Sequence, residues 1–307
     1  MQVDLPCSDA SRVRREPLTA TASRVERWVL VEQCGAWGPP VLPTARMDPA
    51  LVEHLTAETA RGGARMLLLR HPRGVACPPG RTVFLVESRP GRERVLTRVF
   101  LDDDELRHTP LPVADLDGDP PGWTSFDGPL LLVCTHGRKD RCCAVRGRPV
   151  VEALAARYPE RTWECSHVGG DRFAANLVVL PEGHYVAQLE PAEAPGVVAD
   201  LRAGRLPLEH YRGRSSLPLP VQAAEHIARE RTGRTGTDDL RLREQVVEGG
   251  NTWTVVLAGA QDLPDVEVRV RWVPEAREAA LLSCAAVQET RAPEFACLGF
   301  RVLIPAS

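Results

Sequence analysis

Short apolar runs bounded by Gly and Pro alternate along the chain with longer runs of helical periodicity. In the first third, four apolar runs have the length and composition typical of strands. They are Arg27–Glu32, Arg65–Arg70, Arg81–Glu87 and Arg94–Phe100. After the first of them, Asp48 precedes apolar residues spaced three to four apart, which predicts a helix with an Asp cap.

An acidic stretch rich in Pro and Gly, from Leu101 to Gly122, indicates a boundary between two units. After it the same order of elements begins again. The predicted elements are a strand Gly128–Cys134, a helix Arg148–Tyr158, a short strand at Thr162–Trp163 and a hairpin of Asn176–Leu180 and His184–Leu189. This repetition predicts two related α/β units.

A third, smaller α+β unit follows. Its predicted elements are a helix Val221–Arg231 and strands Arg241–Val247, Thr252–Ala258, Val266–Trp272 and Phe295–Ile304. We therefore expect domains at residues 1–120, 121–212 and 213–307, in an α/β (α+β) fold class. Residues 1–24 are expected to form an irregular arm.

Composition narrows the functional classes. The 307 residues are 43% hydrophobic and carry a net charge of −3, so no basic surface favours nucleic acid. The chain has no apolar run long enough for a membrane span, and its first thirty residues show no secretory signal, so we expect a cytoplasmic protein. Nine cysteines in a reducing compartment favour metal ligands or reactive thiols over a disulfide framework.

Sulfur and imidazole groups concentrate between residues 130 and 189. Cys134 ends a predicted buried strand, and Cys142 and Cys143 follow just before a helix, where thiol pKa values are depressed. His167 and Asp171 flank a Gly-Gly pair whose backbone could approach a compact inorganic group closely. This pattern, with Cys165 nearby, predicts a metal or iron–sulfur site. Cysteines elsewhere, including Cys7 and Cys284, are expected to be small apolar side chains.

The spacing alone leaves other sites open. Zinc is one alternative, although the paired C-x2-C of common zinc modules is missing. A cluster-free thiol redox enzyme using Cys134 with Cys142 or Cys143 is another, although the chain has no C-x-x-C motif in this region. The sequence shows no pair of carboxylates that would indicate a glycoside hydrolase site.

The segment from His167 to Gly183 resembles the closing half of thioredoxin-like [2Fe–2S] ferredoxins. CTHGRKDRCC, SHVGGDRFAANLVVLPEG, HYRGRSSLPLPVQAAEHIARE and the opening EPLTATASRVERWVLVE all resemble the sucrase/ferredoxin-like family, including its fungal branch with a bis-histidinyl cluster. The resemblance covers nearly the whole chain. It implies a thioredoxin-like ferredoxin domain preceded by a degenerate thioredoxin-like half and followed by a small α+β unit.

The resemblance also implies a ligand set for a [2Fe–2S] cluster. Cys134, one of Cys142 and Cys143, and His167 are the implied ligands. The fungal pattern has His-x3-His, whereas this chain has Asp171 at the second position. Asp171 is therefore the first choice for the fourth ligand, with Cys165 or the second of the vicinal cysteines as substitute.

These ligands lead us to expect a cytoplasmic electron-transfer protein that has no substrate of its own. Its partner would be a redox protein, either a reductase or an electron acceptor, and nothing indicates nucleic acid or a membrane. His136 and Arg138, beside Cys134, are expected either to form part of the docking rim or to be solvated loop side chains.

Overall fold

A computed structural model describes residues 5–39, 41–72, 76 and 79–304. The chain begins with a short helix, followed by the elements of the first half and then those of the second half. The first set is α1 (Cys7–Val13), β1 (Arg27–Glu32), α2 (Val41–Thr44), α3 (Pro49–Arg61), β2 (Arg65–Arg70), β3 (Arg81–Glu87), β4 (Arg94–Phe100), α4 (Asp103–His108) and β5 (Thr124–Ser125). The second set is β6 (Leu130–Cys134), α5 (Arg141–Arg157), β7 (Thr162–Cys165), β8 (Leu177–Leu180), β9 (His184–Val186), α6 (Ala194–Arg202) and β10 (Tyr211–Arg214).

The strands of both halves form one ten-stranded sheet in the order β10-β9-β8-β6-β7-β2-β1-β3-β4-β5. Each half repeats one topology. A central strand pairs in parallel with the strand that follows its helix and antiparallel with the next strand, as β1 does with β2 and β3 and β6 does with β7 and β8. The fold class is thus mixed α/β, as predicted. The halves meet where β2 and β7 pair antiparallel, with Leu69 opposite Cys165.

Burial explains why the two central strands read as continuous apolar runs. Every residue of β6 is buried, as is every residue of β1 after Arg27, because both faces of the sheet are covered. One face carries a hydrophobic cluster shared by both halves, in which Trp28 and Leu30 join Leu132 and Trp163. The opposite face has separate clusters in each half, one around α3 and one around α5 and α6.

The remaining residues form an antiparallel sheet covered by a helix. Val221 and Ala224 on the helix pack against Val255 and Val268 of the sheet, whose four strands lie in the order Leu240–Gly249, Thr252–Gly259, Asp265–Val273 and Glu294–Leu303. The elements are α7 (Leu219–Thr232), β11 (Leu240–Gly249), β12 (Thr252–Gly259), β13 (Asp265–Val273), β14 (Ala279–Ala280), β15 (Thr290–Arg291) and β16 (Glu294–Leu303). Among the residues the structure describes, no helix is long and apolar enough to cross a membrane.

The structure differs from the predicted local structure at several points; the strand predicted at His184–Leu189, for example, ends at Val186. The arm predicted as irregular contains α1, and the acidic link contains α4. Helix α6 was not predicted. Helix α5 begins seven residues before the predicted start, because the Asp140 carboxylate accepts the Cys142 N–H and caps the helix there; Pro149 consequently lies inside the helix. The proposed domain limits at residues 120 and 212 remain predictions.

Candidate metal centre

Strand β6 and helix α5 bring two cysteines together at the end of the sheet. Cys134 is the last residue of β6, and the chain returns through a short loop to α5, whose first turn carries Cys143. The helix packs closely on the strand end, since a Cβ added at Gly147 would lie 2.3 Å from the Cys134 carbonyl oxygen. A residue without a side chain at position 147 therefore permits the approach of Cys143 to Cys134.

The loop after β7 supplies the other two polar groups. Gly169 and Gly170 both have positive φ, of 92° and 78°, and these conformations turn the chain between His167 and Asp171. The buried Arg212 guanidinium fixes this turn, donating to the Gly169 carbonyl at 3.0 Å. The loop that carries an imidazole and a carboxylate is thus anchored from β10.

Four side chains converge at this position, which we call the sheet-end site (Cys134, Cys143, His167 and Asp171). Ligand atoms of Cys134, Cys143 and His167 all lie within 4.8 Å of one another. Asp171 Oδ1 lies 3.5 Å from Cys143 Sγ and 2.9 Å from His167 Nδ1. Both cysteines are 1% exposed, while the His167 side chain is 21% exposed.

His167 Nδ1 has the character expected of a metal ligand. It lies 2.9 Å from Asp171 Oδ1, and its side chain is close to the Cys134 and Cys143 thiols. A cation between the sulfur, nitrogen and oxygen atoms would satisfy them together. The donor set of two thiolates, an imidazole and a carboxylate suits iron, in an iron–sulfur cluster, or zinc.

Neighbouring groups shift the pKa values of the side chains in the sheet-end site. A hydrogen bond from Cys143 and the nearby His167 hold the pKa of Cys134 well below its ordinary value despite burial. That hydrogen bond to Cys134 and burial raise the pKa of Cys143. Burial alone would lower the pKa of His167, but hydrogen bonding to Asp171 and Cys134 outweighs it and raises the value to about 9. The two shifts favour the charged forms, a thiolate at Cys134 and an imidazolium at His167.

Three residues near this position lie outside the sheet-end site. Cys142 lies in a second group with Cys7, Asp140 and Cys284, which we call the arm cluster. Cys165 is opposite Cys134 in the β6–β7 register but is a core side chain whose pKa is raised by burial. His136 is 2% exposed, and its Nε2 lies 2.9 Å from the Gly38 carbonyl oxygen, so neither expectation for it, a docking rim or a solvated loop side chain, is correct.

Sequence reasoning missed the arm cluster and read Cys7 and Cys284 as ordinary apolar side chains. One signal was available. An Asp cap at position 140 would place the consecutive residues Cys142 and Cys143 in a helix, where neighbouring side chains point about 100° apart and so do not face one small site. The structure separates them accordingly.

The first half has the same scaffold with different side chains. Asp48 caps α3 as Asp140 caps α5. Three residues after each cap stand Leu51 and Cys143, both buried, and Leu51 packs in the apolar core of its half. A hydrophobic contact therefore occupies, in the first half, the place that a thiol has in the second.

The fold and the site define a mixed α/β protein with a buried sulfur, nitrogen and oxygen site at a sheet end. The profile of the sucrase/ferredoxin-like family matches residues 18–213, more than half of the chain. The chain therefore belongs to the sucrase/ferredoxin-like family. All four residues of the sheet-end site lie inside the matched range, whereas Cys7 and Cys284 of the arm cluster lie outside it.

Other comparisons add little. No curated protein matches the chain. Among solved structures, a variant of the thioredoxin-like [2Fe–2S] ferredoxin from Aquifex aeolicus is 18% identical and covers 27% of this chain and 97% of that chain, with a TM-score of 0.24. A likeness this weak supports no conclusion about the site.

Proposed function

We propose that the protein is an electron carrier that holds one [2Fe–2S] cluster at the sheet-end site. The observation that carries the proposal is the convergence of two cysteines, His167 and Asp171 on one buried position, within the range that matches the family. When bound, such a cluster accepts and returns single electrons. Cys134, Cys143, His167 and Asp171 are the proposed ligands, and Cys142 is not one of them.

Burial favours electron transfer over thiol chemistry. Cys134 and Cys143 are each 1% exposed, so a disulfide or peroxide substrate has no direct approach to either sulfur. Thiol–disulfide exchange requires contact between attacking and attacked sulfur atoms. Electron transfer requires only that a partner approaches closely, and weak, small interfaces are typical of such encounters.

His167 provides the proposed point of approach. Among the four ligands it has the most exposed side chain, and it borders an open cleft of about 340 Å³ with Val41, Pro43 and Arg65. Arg65 donates to the His167 carbonyl at 2.8 Å and so fixes the loop at the cleft. The proposed partner is a redox protein, either a reductase that delivers electrons or an acceptor that takes them, and it would dock over this cleft. We place this exchange in the cytoplasm.

The ligand set determines the expected potential. Asp171 stands where the bis-histidinyl branch has its second histidine. The proposed set carries one negative charge fewer than four thiolates, and less negative charge eases reduction. We therefore expect a midpoint potential between those of plant-type ferredoxins, about −400 mV, and Rieske centres, about −150 to +300 mV.

His167 makes that potential dependent on pH. Reduction adds negative charge beside the imidazole ring, so the reduced protein binds a proton more tightly than the oxidised one. The potential should consequently fall as pH rises, by up to about 59 mV per pH unit for one electron and one proton. Potentiometric titration between pH 6 and 9 measures the slope; a potential independent of pH would remove His167 from the ligand set.

The function is tested by electron exchange. Anaerobically purified protein, reduced with dithionite and desalted, should reduce cytochrome c by one equivalent per chain. The matched control is the same protein with accessible thiols blocked, which should transfer the same electron. Loss of transfer on thiol blocking, or transfer of two electrons per chain, would instead support the thiol reading.

That second reading rests on one observation. Cys134, whose pKa is lowered well below its ordinary value, lies beside His167, and the Asp171 carboxylate lies 2.9 Å from His167 Nδ1. This resembles the activated nucleophile of a thiol enzyme. A colourless protein with no iron after reconstitution, and rapid alkylation of Cys134 at neutral pH, would favour it.

A further inference from the structure

The arm cluster joins three parts of the chain that are distant in sequence. Cys7 begins α1, Asp140 and Cys142 lie at the start of α5, and Cys284 lies between β14 and β15. Cys7 and Cys284 are 277 positions apart, yet the Cys7 N–H donates to Cys284 Sγ at 3.4 Å. Three thiols and a carboxylate from separate elements therefore meet at one point.

The distances suit four ligands of a single ion. Cys142 Sγ lies 3.6 Å from Cys7 Sγ and 3.4 Å from Cys284 Sγ. Asp140 Oδ2 lies 3.5 Å from Cys7 Sγ. Tetrahedral zinc with Zn–S bonds of about 2.3 Å and a Zn–O bond of about 2.0 Å separates its ligands by about 3.8 Å for two sulfurs and about 3.5 Å for sulfur and oxygen.

The carboxylate is held in place for this role. Asp140 is 2% exposed, and its Oδ1 accepts the Cys142 N–H at 2.8 Å while its Oδ2 accepts the Cys284 N–H at 2.7 Å. A carboxylate has further lone pairs available after these two hydrogen bonds. Hydrogen bonds to ligand atoms orient them and are typical of structural metal sites.

We propose that the arm cluster is a second metal site, in which Cys7, Asp140, Cys142 and Cys284 bind one zinc ion. Thiolate-rich ligand sets select zinc among the common divalent cations, and four protein ligands leave no open position, so the site is structural. A disulfide is the main alternative for such close thiols. It would pair two of the three sulfurs and leave the third beside a buried carboxylate.

The role of the ion follows from what it joins. It fixes the N-terminal arm and the segment around Cys284 to the first turn of α5. That same turn carries Cys143 of the sheet-end site. The two sites are therefore adjacent but share no ligand, and one can be removed without removing a ligand of the other.

Metal analysis of the full chain tests the proposal. Anaerobically purified protein should contain about one zinc per chain, measured by mass spectrometry of metals. Cys7→Ser and Cys284→Ser should each lose zinc while their iron and sulfide contents stay at the wild-type value. Cys297→Ser is the matched control, because Cys297 is half-buried on β16 and outside both groups; it should keep zinc.

Cobalt keeps the test decisive if the single variants fold poorly. In a Cys134→Ser background, which removes the proposed iron–sulfur colour, Co²⁺ should give the thiolate charge-transfer and visible bands of tetrahedral cobalt. Adding Cys284→Ser should weaken Co²⁺ binding at least about tenfold, with circular dichroism showing that the protein is folded. No zinc and no cobalt bands, or a disulfide among Cys7, Cys142 and Cys284 in unreduced peptides, would overturn the proposal whatever the iron content shows.

Discussion

The sheet-end site and the arm cluster each include one of two consecutive cysteines of α5, Cys143 and Cys142 respectively, but their other residues come from different parts of the chain. The residues of the sheet-end site come from a strand end, a helix turn and a glycine loop anchored by Arg212, all belonging to the ten-stranded sheet and its connections. The residues of the arm cluster come from the N-terminal helix, the start of α5 and a segment between two short strands. The first group is therefore built within one sheet, whereas the proposed ion of the second group would link separate parts of the chain.

Removing one proposed ligand from each group should give the largest difference between the two sites in metal content. Cys134→Ser should lose iron and sulfide almost completely and keep zinc, because its sulfur belongs only to the sheet-end site. Cys284→Ser should lose zinc, keep iron, and become more sensitive to proteases in the arm. Metal and sulfide analysis with limited proteolysis measures both. If Cys134→Ser keeps a wild-type visible spectrum, the cluster assignment is wrong.

Replacing Asp171, the fourth proposed ligand, should change the midpoint potential while leaving the zinc content unchanged. Asp171→His replaces an anionic ligand with a neutral one and should raise the midpoint potential on the order of 100 mV or more. Asp104→Asn is the control, since Asp104 is exposed on α4 and its charge is screened; it should leave the potential unchanged. An unchanged potential in Asp171→His would exclude Asp171 as a ligand.

Alanine substitutions at two helical glycines separate the effect of the close packing of α5 on the end of β6 from the general preference of helices for Ala over Gly. Gly147→Ala puts a Cβ 2.3 Å from the Cys134 carbonyl oxygen, and should cost roughly 1–3 kcal/mol of unfolding free energy and reduce cluster retention. Gly196→Ala on α6 meets no atom within 4 Å and should stabilise by up to about 1 kcal/mol. Urea unfolding measures both. Equal effects of the two substitutions would show that helix and strand do not pack as described.

His184, which lies outside both groups, should lower the unfolding free energy of the protein at acid pH. Burial, with smaller contributions from Arg214 and Arg229, lowers the pKa of His184 to about 3. The unfolded chain therefore binds a proton below about pH 6.5 that the native protein does not, and stability falls as pH decreases from there towards 3. Between pH 7 and pH 5 this amounts to about 2 kcal/mol.

His184→Gln, compared with wild type in metal-free protein, isolates that loss. Its unfolding free energy should change less between pH 7 and pH 5 than that of wild type. Metal-free protein is used so that acid release of ions does not contribute. An identical pH dependence in the two proteins would show that His184 is not the buried titrating group.

Most strands of the ten-stranded sheet could be predicted from sequence because their residues are largely buried, whereas β5 and β10 were not predicted. Strands β1 to β4 begin and end where their apolar runs do. The start of α5 could not be placed from Pro149, since a side-chain cap at Asp140 overrides the preference of proline for a first turn. Helix α1 was missed because its few buried residues, among them Cys7 and Ser11, lack an apolar stripe.

The two groups of side chains differ in the same way. Cys134, Cys143, His167 and Asp171 lie in one short stretch, so their spacing and the glycine pair indicate a site from the sequence alone. Cys7 and Cys284 lie near opposite ends of the chain, and no local pattern links them. Only the folded arrangement brings them to Cys142, which sequence reasoning had placed with the first group.

Chemical analysis of the purified protein tests the central claim most directly. Wild-type protein purified without oxygen should be red-brown, with about two irons and two acid-labile sulfides per chain, and its iron-dependent absorbance should be absent in Cys134→Ser. A protein with neither iron nor sulfide after reconstitution, or with a single metal ion and no sulfide at the sheet-end site, would contradict it.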